Sequence, residues 1–498
     1  MKNTMAILLA AGKGERMKSE LAKVLHPIAG RPMIMYTLDT LAALGLAKVV
    51  IVVGHQKEKV QQAITERLRS GKLQLEYVEQ DKQLGTGHAV LQCQRYLKSW
   101  KGNVLVLSGD VPLISRDALR TLQRSHAKAE AAASVLSMQL DRPGVYGRIV
   151  RDDEGAFQQI IEYRDAKPKQ REIDEVNTGI YMFQGRYLFN GIKKLESNFK
   201  KGKGKAKEFY LTDMIALAVE RGLPAQALCL DDAAEGLGVN SRSDLASAQR
   251  VMRNQINNGH MERGVSIRDP FTTFIDADVR IGQDSVIEPV VHLRGNTRIG
   301  KGTKVMLGSY IENSTVGNDA RIRPHSVIEE ASVGHGCSVG PNAHLRPGAD
   351  MAAGSSVGNY VEIKKSKIGA GSKVNHMSYI GDANIGQNVN IGAGTITCNY
   401  DGLGKYQTLV EDEAFIGSDC QLVAPIKIHR GAYVGSGSTI THDVPAGALS
   451  MTRARQETKE GWVDRWRKLR IVRQQKIEQG EQAKQEEDEK KPAPDKKS

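Results

Sequence analysis

Three stretches of the sequence concentrate residue types that handle phosphate. LLAAGKGERMKSELAK (8–23) places Gly12 and Gly14 directly after an apolar run, with Arg16 and Lys23 following. A glycine turn after a strand leaves backbone N–H groups free, which suits a phosphate, and the two cations would add charge against a polyphosphate. The loop is neither of the two familiar phosphate fingerprints. Gly14 is followed by Glu15-Arg16-Met17, not by Lys-Ser/Thr, and Met17 stands where a dinucleotide loop needs its third glycine. QLGTGHA (83–89) is a second glycine-rich turn, carrying a hydroxyl suited to the edge of a base. Asp110 closes the apolar run NVLVLSGD (103–110), the position expected of a Mg2+ ligand between phosphates. Taken alone, the first loop is equally compatible with a tight turn that carries surface cations. Far downstream, His376 sits in the polar segment NHMSYIGDANIG (375–386). Histidine is the side chain best suited to proton transfer near neutral pH, but a lone histidine on a polar turn is more often plain surface.

These residues need elements to position them, and the chain contains two kinds. Over residues 1–240, apolar strands alternate with amphipathic helices: MAILLA, then PMIMYTLDTLAALGL, then KVVIVVG, with NVLVLSGD further on. Such alternation predicts a mainly parallel sheet covered by helices. Ligands of these sheets bind just beyond the carboxyl ends of strands, where both the opening loop and Asp110 fall.

From about residue 265 the period changes. Ile275, Ile281, Ile287, Leu293, Ile299, Val305 and Ile311 recur every six residues. After a five-residue step the series resumes at Val316, Ile322 and Ile328, then at Val333, Val339, Leu345, Met351, Val357 and Ile363. Two further such steps lead to Ile368, Val374, Ile380 and to Ile385, Ile391, Thr397. An interruption of eighteen residues, CNYDGLGKYQTLVEDEAF (398–415), precedes Ile416, Leu422, Ile428, Val434 and Ile440. A six-residue period fits neither an α-helix nor an alternating strand; it predicts a hexapeptide β-helix whose stacked aliphatics fill the interior. The interruption predicts a long loop expelled from the solenoid. Between the halves, residues 241–262 read as a linker helix with Leu245, Met252 and Ile256 on one face. The organisation expected is therefore 1–240, the linker at 241–262, the β-helix at 263–452 and a tail at 453–498. Trp462 and Trp466 predict that the first part of the tail docks, and the low-complexity end QGEQAKQEEDEKKPAPDKKS is expected to be disordered.

Composition narrows the classes further. At 498 residues with 40% apolar content the chain is expected to form two or three domains, and no apolar run is long enough for a membrane span. MAILLAA reads as a buried strand, not as a signal peptide. The five cysteines (Cys93, Cys229, Cys337, Cys398, Cys420) form no CxxC pair, which argues against a zinc site or disulfide framework and fits a reducing cytoplasm. The net charge is +13, and much of the basic clustering lies in KKGKGKAK (200–207) and RWRKLRIVR (465–473), with no aromatic interleaving of a recognisable RNA-binding kind. Anionic small substrates explain it, and neither nucleic acid nor a membrane is expected as partner.

LAAGKGERM…K, QLGTGHA, GDVPL, GVYGRIV, IIEYRDA, EVNTGIY, EFYLTD and GVN occur in the order found in sugar-1-phosphate nucleotidyltransferases. Together with HLRPGA, VEIKKS, NHMSYIGDANIG and GAGTITCNYDG in the second half, they make the chain resemble the bifunctional N-acetylglucosamine-1-phosphate uridyltransferase/glucosamine-1-phosphate acetyltransferases, from about residue 5 to residue 455. The resemblance implies an α/β Rossmann-like nucleotidyltransferase domain followed by a left-handed parallel β-helix, assembled as a homotrimer with sites shared between chains. It implies acetylation of glucosamine 1-phosphate by acetyl-CoA, then transfer of UMP from UTP to N-acetylglucosamine 1-phosphate. The product, UDP-N-acetylglucosamine, would supply peptidoglycan and lipopolysaccharide precursors. The competing reading is a monofunctional sugar-1-phosphate nucleotidyltransferase whose β-helix is only a scaffold.

Residue by residue, the resemblance implies that Leu9, Ala10, Ala11 and Gly12 lie against the nucleotide and that Gln80, Gly85 and Thr86 read the uracil. Lys23 would contact phosphates, Arg16 would stabilise the leaving pyrophosphate, and Ser108 and Gly109 would complete the substrate-binding set. Gly147, Glu162 and Asn177 would hold the sugar and its N-acetyl group, while Asp110 and Asn240 would bind Mg2+. In the second half His376 would be the general base, with Arg346 and Lys364 on the sugar phosphate and Tyr379 and Asn390 near the sugar. Ala393, Asn399, Tyr400, Ser418, Ser436 and Arg453 would line the acetyl-CoA site. Two departures stand out: Ala22 replaces a usual proline, predicting a looser approach to Lys23, and Ser436 stands where alanine is common.

Overall fold

The structure, a computed structural model, describes residues 3–67, 73–200 and 208–489. Most of the basic KKGKGKAK segment and the last nine residues of the tail lie outside the described residues. The first half is built on a sheet with strands β1 (Thr4–Ala10), β2 (Lys48–Val53), β3 (Leu75–Glu79), β4 (Asn103–Ser108), β5 (Ala133–Gln139), β6 (Arg148–Arg151), β7 (Phe157–Ile161), β8 (Glu175–Gln184) and β9 (Ala225–Cys229). Its main order is β9-β5-β8-β4-β1-β2-β3, with β6 pairing to β8 and β7. β1 is parallel to both β2 and β4, so the carboxyl ends of these strands form one edge. β8 runs antiparallel between β4 and β5, and its amino end therefore reaches the same edge. The central strands are apolar throughout because helices cover both faces of the sheet.

The second half is a left-handed parallel β-helix. Its short strands stack into three faces: a first of eleven strands beginning at Ser266–Ile267, a second of ten beginning at Phe274–Ile275 and a third of nine beginning at Arg280–Ile281. Corresponding positions in successive coils pair directly, as in Ile311 with Ile328, Ile328 with Leu345, Leu345 with Ile363 and Ile363 with Ile380. All five side chains are fully buried, and the six-residue period of the sequence is the step from the inward position of one face to that of the next. The five-residue steps are tighter corners between the second and third faces. Each turns on a non-glycine residue with positive φ, namely Asn313, Glu330, Lys365 and Asp382.

The expelled loop is shorter than the sequence interruption. Thr408–Val410 returns to the third face, where Val410 pairs with Ile385 and Ile428 and is buried. Val410 lies one six-residue step before Ile416, and stacking on Ile385 recruits it back into the coil. Only the segment between Cys398 and Thr408 leaves the solenoid, closed by an antiparallel bridge between Tyr400 and Lys405.

A helix at Arg242–Glu262 joins the halves, opened by a capping box in which Ser241 and Asp244 satisfy each other's backbone N–H groups. Leu245 and Met252 bury against Met17, Ile28 and Met33 of the first half, and Ile256 reaches the interior cluster of the β-helix as well. A small hairpin, Pro27–Ile28 with Arg31–Pro32, leans on the first coil. There the Arg31 guanidinium pairs with both oxygens of Asp278 (Nε–Oδ2 2.9 Å), and Ala277 N–H donates to the Ala29 carbonyl at 3.0 Å.

The tail departs from expectation twice. Trp462 and Trp466 do not dock: every described side chain from 451 to 486 is exposed, and the two indoles stack on each other at 6.0 Å. The stretch from Gln479, expected to be disordered, is helical as far as it is described, because a helix runs from Trp462 to Glu489; the rest of it lies outside the described residues. Gln, Glu, Lys and Ala fill this stretch, and they form helix readily without a packing partner. Among the described residues no helix is long and apolar enough to cross a membrane.

Candidate active sites

The first site collects at the carboxyl edge of the sheet. β1 ends in Leu9 and Ala10, and the Leu9 carbonyl accepts from Gly109 N–H at 2.9 Å, locking the opening loop to the end of β4. Lys23 meets Asp110 in an ion pair and donates from Nζ to Asn240 Oδ1 at 3.1 Å. Asp110 is almost fully buried, and burial works against its charge. The Lys23 ammonium, together with hydrogen bonds from Ser108 and its own backbone, outweighs that and holds its pKa below the ordinary carboxylate range. Gly14 permits this arrangement: its φ is +66°, and a Cβ there would stand 2.7 Å from Lys23 Cβ.

Ala22 does not loosen the loop. It adopts φ −53°, within the range proline would impose, and the N–H that proline lacks donates to Gln56 Oε1 at 3.1 Å. Gln56 Nε2 in turn donates to the Glu20 carbonyl. A glutamine clamp thus replaces the pyrrolidine ring as the stiffening device. Arg16 lies on a short turn, Glu15–Met17, and is exposed at the mouth of the site, as is Gly12.

The second glycine turn forms one unit with the same edge. Gln80 Nε2 donates to the Gly85 carbonyl at 3.2 Å, and Gln83 Nε2 donates to the Ala11 carbonyl at 2.6 Å, tying the two glycine loops together. Thr86 Oγ1 accepts from Leu211 N–H at 3.1 Å, so the hydroxyl read as a base contact holds the EFYLTD segment. Gly147, Glu162 and Asn177 do converge: the Gly147 carbonyl accepts from Asn177 N–H at 2.9 Å, and a Cβ on Gly147 would stand 3.5 Å from Glu162 Oε2. Asn177 is oriented by Tyr181, to whose hydroxyl it donates at 2.7 Å. Burial raises the Glu162 pKa, only partly offset by the Thr212 hydroxyl that donates to it at 3.2 Å.

In the second half the expected residues fall on the two edges of the second face. His376 ends the strand Lys373–His376 and is exposed; Met377 follows with φ +45° and turns the chain onto the second face at Tyr379. A column of expected residues climbs this same edge. Gly394 N–H donates to the His376 carbonyl at 3.2 Å, and Asp419 N–H donates to the Ala393 carbonyl at 2.6 Å. Ser418 N–H donates to Ser436 Oγ at 3.2 Å, and Arg453 Nη1 to the Ser436 carbonyl at 3.2 Å. Ser436, expected as a departure from alanine, therefore spends its hydroxyl on the scaffold. Asn390 pairs with Lys373 on the first face, one coil above the strand that carries His376.

Arg346, Lys364, Asn399 and Tyr400 lie toward the opposite edge. Arg346 Nη1 donates to Glu362 Oε1 at 2.7 Å, and Lys364 pairs with Gly381 in the next coil. Asn399 Nδ2 donates to Asp382 Oδ2 at 2.5 Å. Within one chain, Asn399 and Tyr400 are thus separated from Ala393, Ser418, Ser436 and Arg453 by the width of the second face. The expelled loop adds a cation that sequence reasoning missed: Lys405 lies against Lys364, whose ammonium lowers the Lys405 pKa. Two adjoining ammonium groups have the charge to hold an anion. Gln56, Gln83, Thr212, Tyr181 and Glu362 were missed likewise, and no local pattern marks them.

The model of the nucleotidyl transferase family matches residues 5–241. Curated relatives match nearly the whole chain. A bifunctional protein GlmU from Pelobacter propionicus is 44% identical over 468 residues, covering 94% of this chain and 100% of its own. Those of Geobacter metallireducens (45% over 479 residues, 93% and 98% covered) and Geobacillus thermodenitrificans (44% over 467 residues, 94% and 99% covered) are similar. With both cores and both polar constellations spanned by these matches, the chain belongs to the GlmU family of bifunctional enzymes, with a nucleotidyl transferase domain leading a left-handed β-helix.

Proposed function

We propose that the chain makes UDP-N-acetylglucosamine in two steps, acetylating glucosamine 1-phosphate in residues 263–452 and joining the product to UMP in residues 1–240. The observation that carries this reading is the presence of two separate polar constellations on two separate cores, Lys23–Asp110–Asn240 at the sheet edge and His376 with its column on the β-helix. A β-helix serving only as a scaffold has no use for His376 at one edge of the second face and Lys364 with Lys405 at the other.

In the uridylyl step a phosphate oxygen of N-acetylglucosamine 1-phosphate attacks the α-phosphorus of UTP and pyrophosphate leaves. No protein nucleophile is required; the chain's contribution is alignment and charge neutralisation. Gln80, Gly85 and Thr86 orient the uracil, Gly147, Glu162 and Asn177 the sugar, and Lys23 and Arg16 face the phosphates. The Asp110 carboxylate and the Asn240 amide oxygen are hard donors that already converge on one cationic point, so the pair fits Mg2+, which takes one or two protein oxygens and completes its shell with phosphates and water. When bound, Mg2+ supplies charge neutralisation across the nucleotide and sugar phosphates.

In the acetyl step His376 takes a proton from the glucosamine amine, the amine attacks the thioester carbonyl of acetyl-CoA, and coenzyme A departs. Arg346, Lys364 and Lys405 grip the sugar phosphate, with Tyr379 and Asn390 beside the ring. Ala393, Ser418, Ser436 and Arg453 line one wall for the coenzyme, and Asn399 and Tyr400 come from a neighbouring chain of a homotrimer. The separation of these two groups across the second face supports such sharing. Soluble nucleotide substrates and cysteines without disulfide partners fit a reducing cytoplasm. A coupled assay of the purified chain with glucosamine 1-phosphate, acetyl-CoA, UTP and Mg2+ tests the whole reading. Release of both coenzyme A and pyrophosphate is expected; pyrophosphate release from N-acetylglucosamine 1-phosphate alone would leave the monofunctional alternative standing.

A further inference from the structure

The nucleotide half already carries a cation at the point where its metal donors meet. The Lys23 ammonium lies on the Asp110 carboxylate and donates to Asn240 Oδ1 at 3.1 Å. Asp110 is only 8% exposed, and a buried carboxylate needs a counter-charge. The same ammonium is the one assigned to the nucleotide phosphates, yet two of its three N–H donors are already committed to Asp110 and Asn240. Its backbone is held by the Ala22 N–H bond to Gln56 and by the close approach of Gly14. Movement is therefore confined to the four-carbon side chain, which is long enough to point elsewhere once released.

We propose that Lys23 is an exchangeable counter-ion: it neutralises Asp110 in the empty enzyme, and a divalent cation entering between Asp110 and Asn240 displaces it toward the nucleotide phosphates. The proposal rests on reading Asp110 and Asn240 as metal donors. It gives the site an order that neither group has alone. The metal must compete with an ammonium for Asp110, and its arrival delivers a positive charge to the nucleotide, so each ligand strengthens the other by the same factor. The empty site meanwhile avoids an unpaired buried carboxylate and keeps its shape.

The test is calorimetric titration of Mn2+ into the full chain without nucleotide, for the native protein and for Lys23→Met. Removal of the competing ammonium should tighten Mn2+ binding by about tenfold, equivalent to about 1.4 kcal/mol. Lys23→Arg keeps the competing charge and should stay near the native affinity. If Lys23 serves only to orient Asp110, Lys23→Met will bind Mn2+ equally or more weakly, which overturns the inference. If neither protein binds Mn2+, the metal reading itself falls. Should Lys23→Met be poorly folded, its melting temperature should rise with Mn2+ more steeply than that of the native chain. A variant that Mn2+ cannot restore would count against an ammonium that metal can replace.

Discussion

Gly85→Ala isolates the junction between the second glycine turn and the segment at Phe209 that packs on it. Gly85 has φ +116°, and a Cβ there would stand 2.9 Å from the Phe209 backbone nitrogen and closer still to its carbonyl oxygen. That approach is part of a small backbone network. Phe209 N–H donates to the Leu84 carbonyl and Gly87 N–H to the Phe209 carbonyl, each at 2.8 Å, while Leu211 N–H reaches Thr86 Oγ1. Alanine can be accommodated only by parting the two segments. Holding a side chain at such a φ costs about 1–3 kcal/mol, and each of the two backbone bonds lost adds about 1 kcal/mol, so the local cost is roughly 3–5 kcal/mol. The Gly85 carbonyl also anchors Gln80, so the base contacts proposed for this turn shift with it. A displacement of about 1 Å in a positioning element is worth about 10² in rate. Pyrophosphate release should therefore fall about a hundredfold, while coenzyme A release by the same preparation stays near native, because the β-helix has its own interior cluster. Native uridylyl transfer with an unchanged melting temperature would refute the reasoning.

Three further outcomes are expected. His376→Ala should lower acetyl transfer by about 10²–10⁴ and leave uridylyl transfer intact; full acetyl activity would mean that another group takes the amine proton. Gln56→Ala should slow uridylyl transfer severalfold by freeing the Ala22 N–H, and adding Ala22→Pro to that variant should restore the rate, since Ala22 already has φ −53°. A double variant no faster than Gln56→Ala would show that the clamp acts otherwise. His126 is buried, bonded at Nδ1 to Ser134 Oγ at 2.8 Å, and burial pulls its pKa down to about 4. On acidification the unfolded chain takes up that proton first, so this contribution to stability is complete above the ordinary histidine pKa of about 6.5 and is lost as the pH falls toward about 4. Melting temperatures of His126→Gln should decline less steeply than those of the native chain over that window; parallel curves would assign the acid sensitivity to other groups such as His260.

The β-helix could be read directly because its period is a property of the chain itself. One inward aliphatic per face recurs at a fixed interval, and any sequence with that interval must stack coil on coil to hide it. The glycine loops, Asp110 and the strands that end at them were legible for a similar reason: each is a contiguous run whose local geometry places it at a strand end. What no local pattern carried was the company these residues keep. Lys23 meets Asp110 across 87 positions and Asn240 across 217, and Gln56 stands in for a missing proline 34 positions away. Val410 was hidden because its partners Ile385 and Ile428 lie on other coils, and Lys405 reaches Lys364 only through the loop that those coils expel. The exposed indoles of the tail make the same point in reverse: their apolar character promised a docking site that the described chain does not provide. The sequence by itself determined the periods, and with them the two architectures and the ends at which polar residues gather. Only the tertiary structure decided which of those residues touch, because sheet order and corner turns bring together positions that the covalent chain keeps far apart.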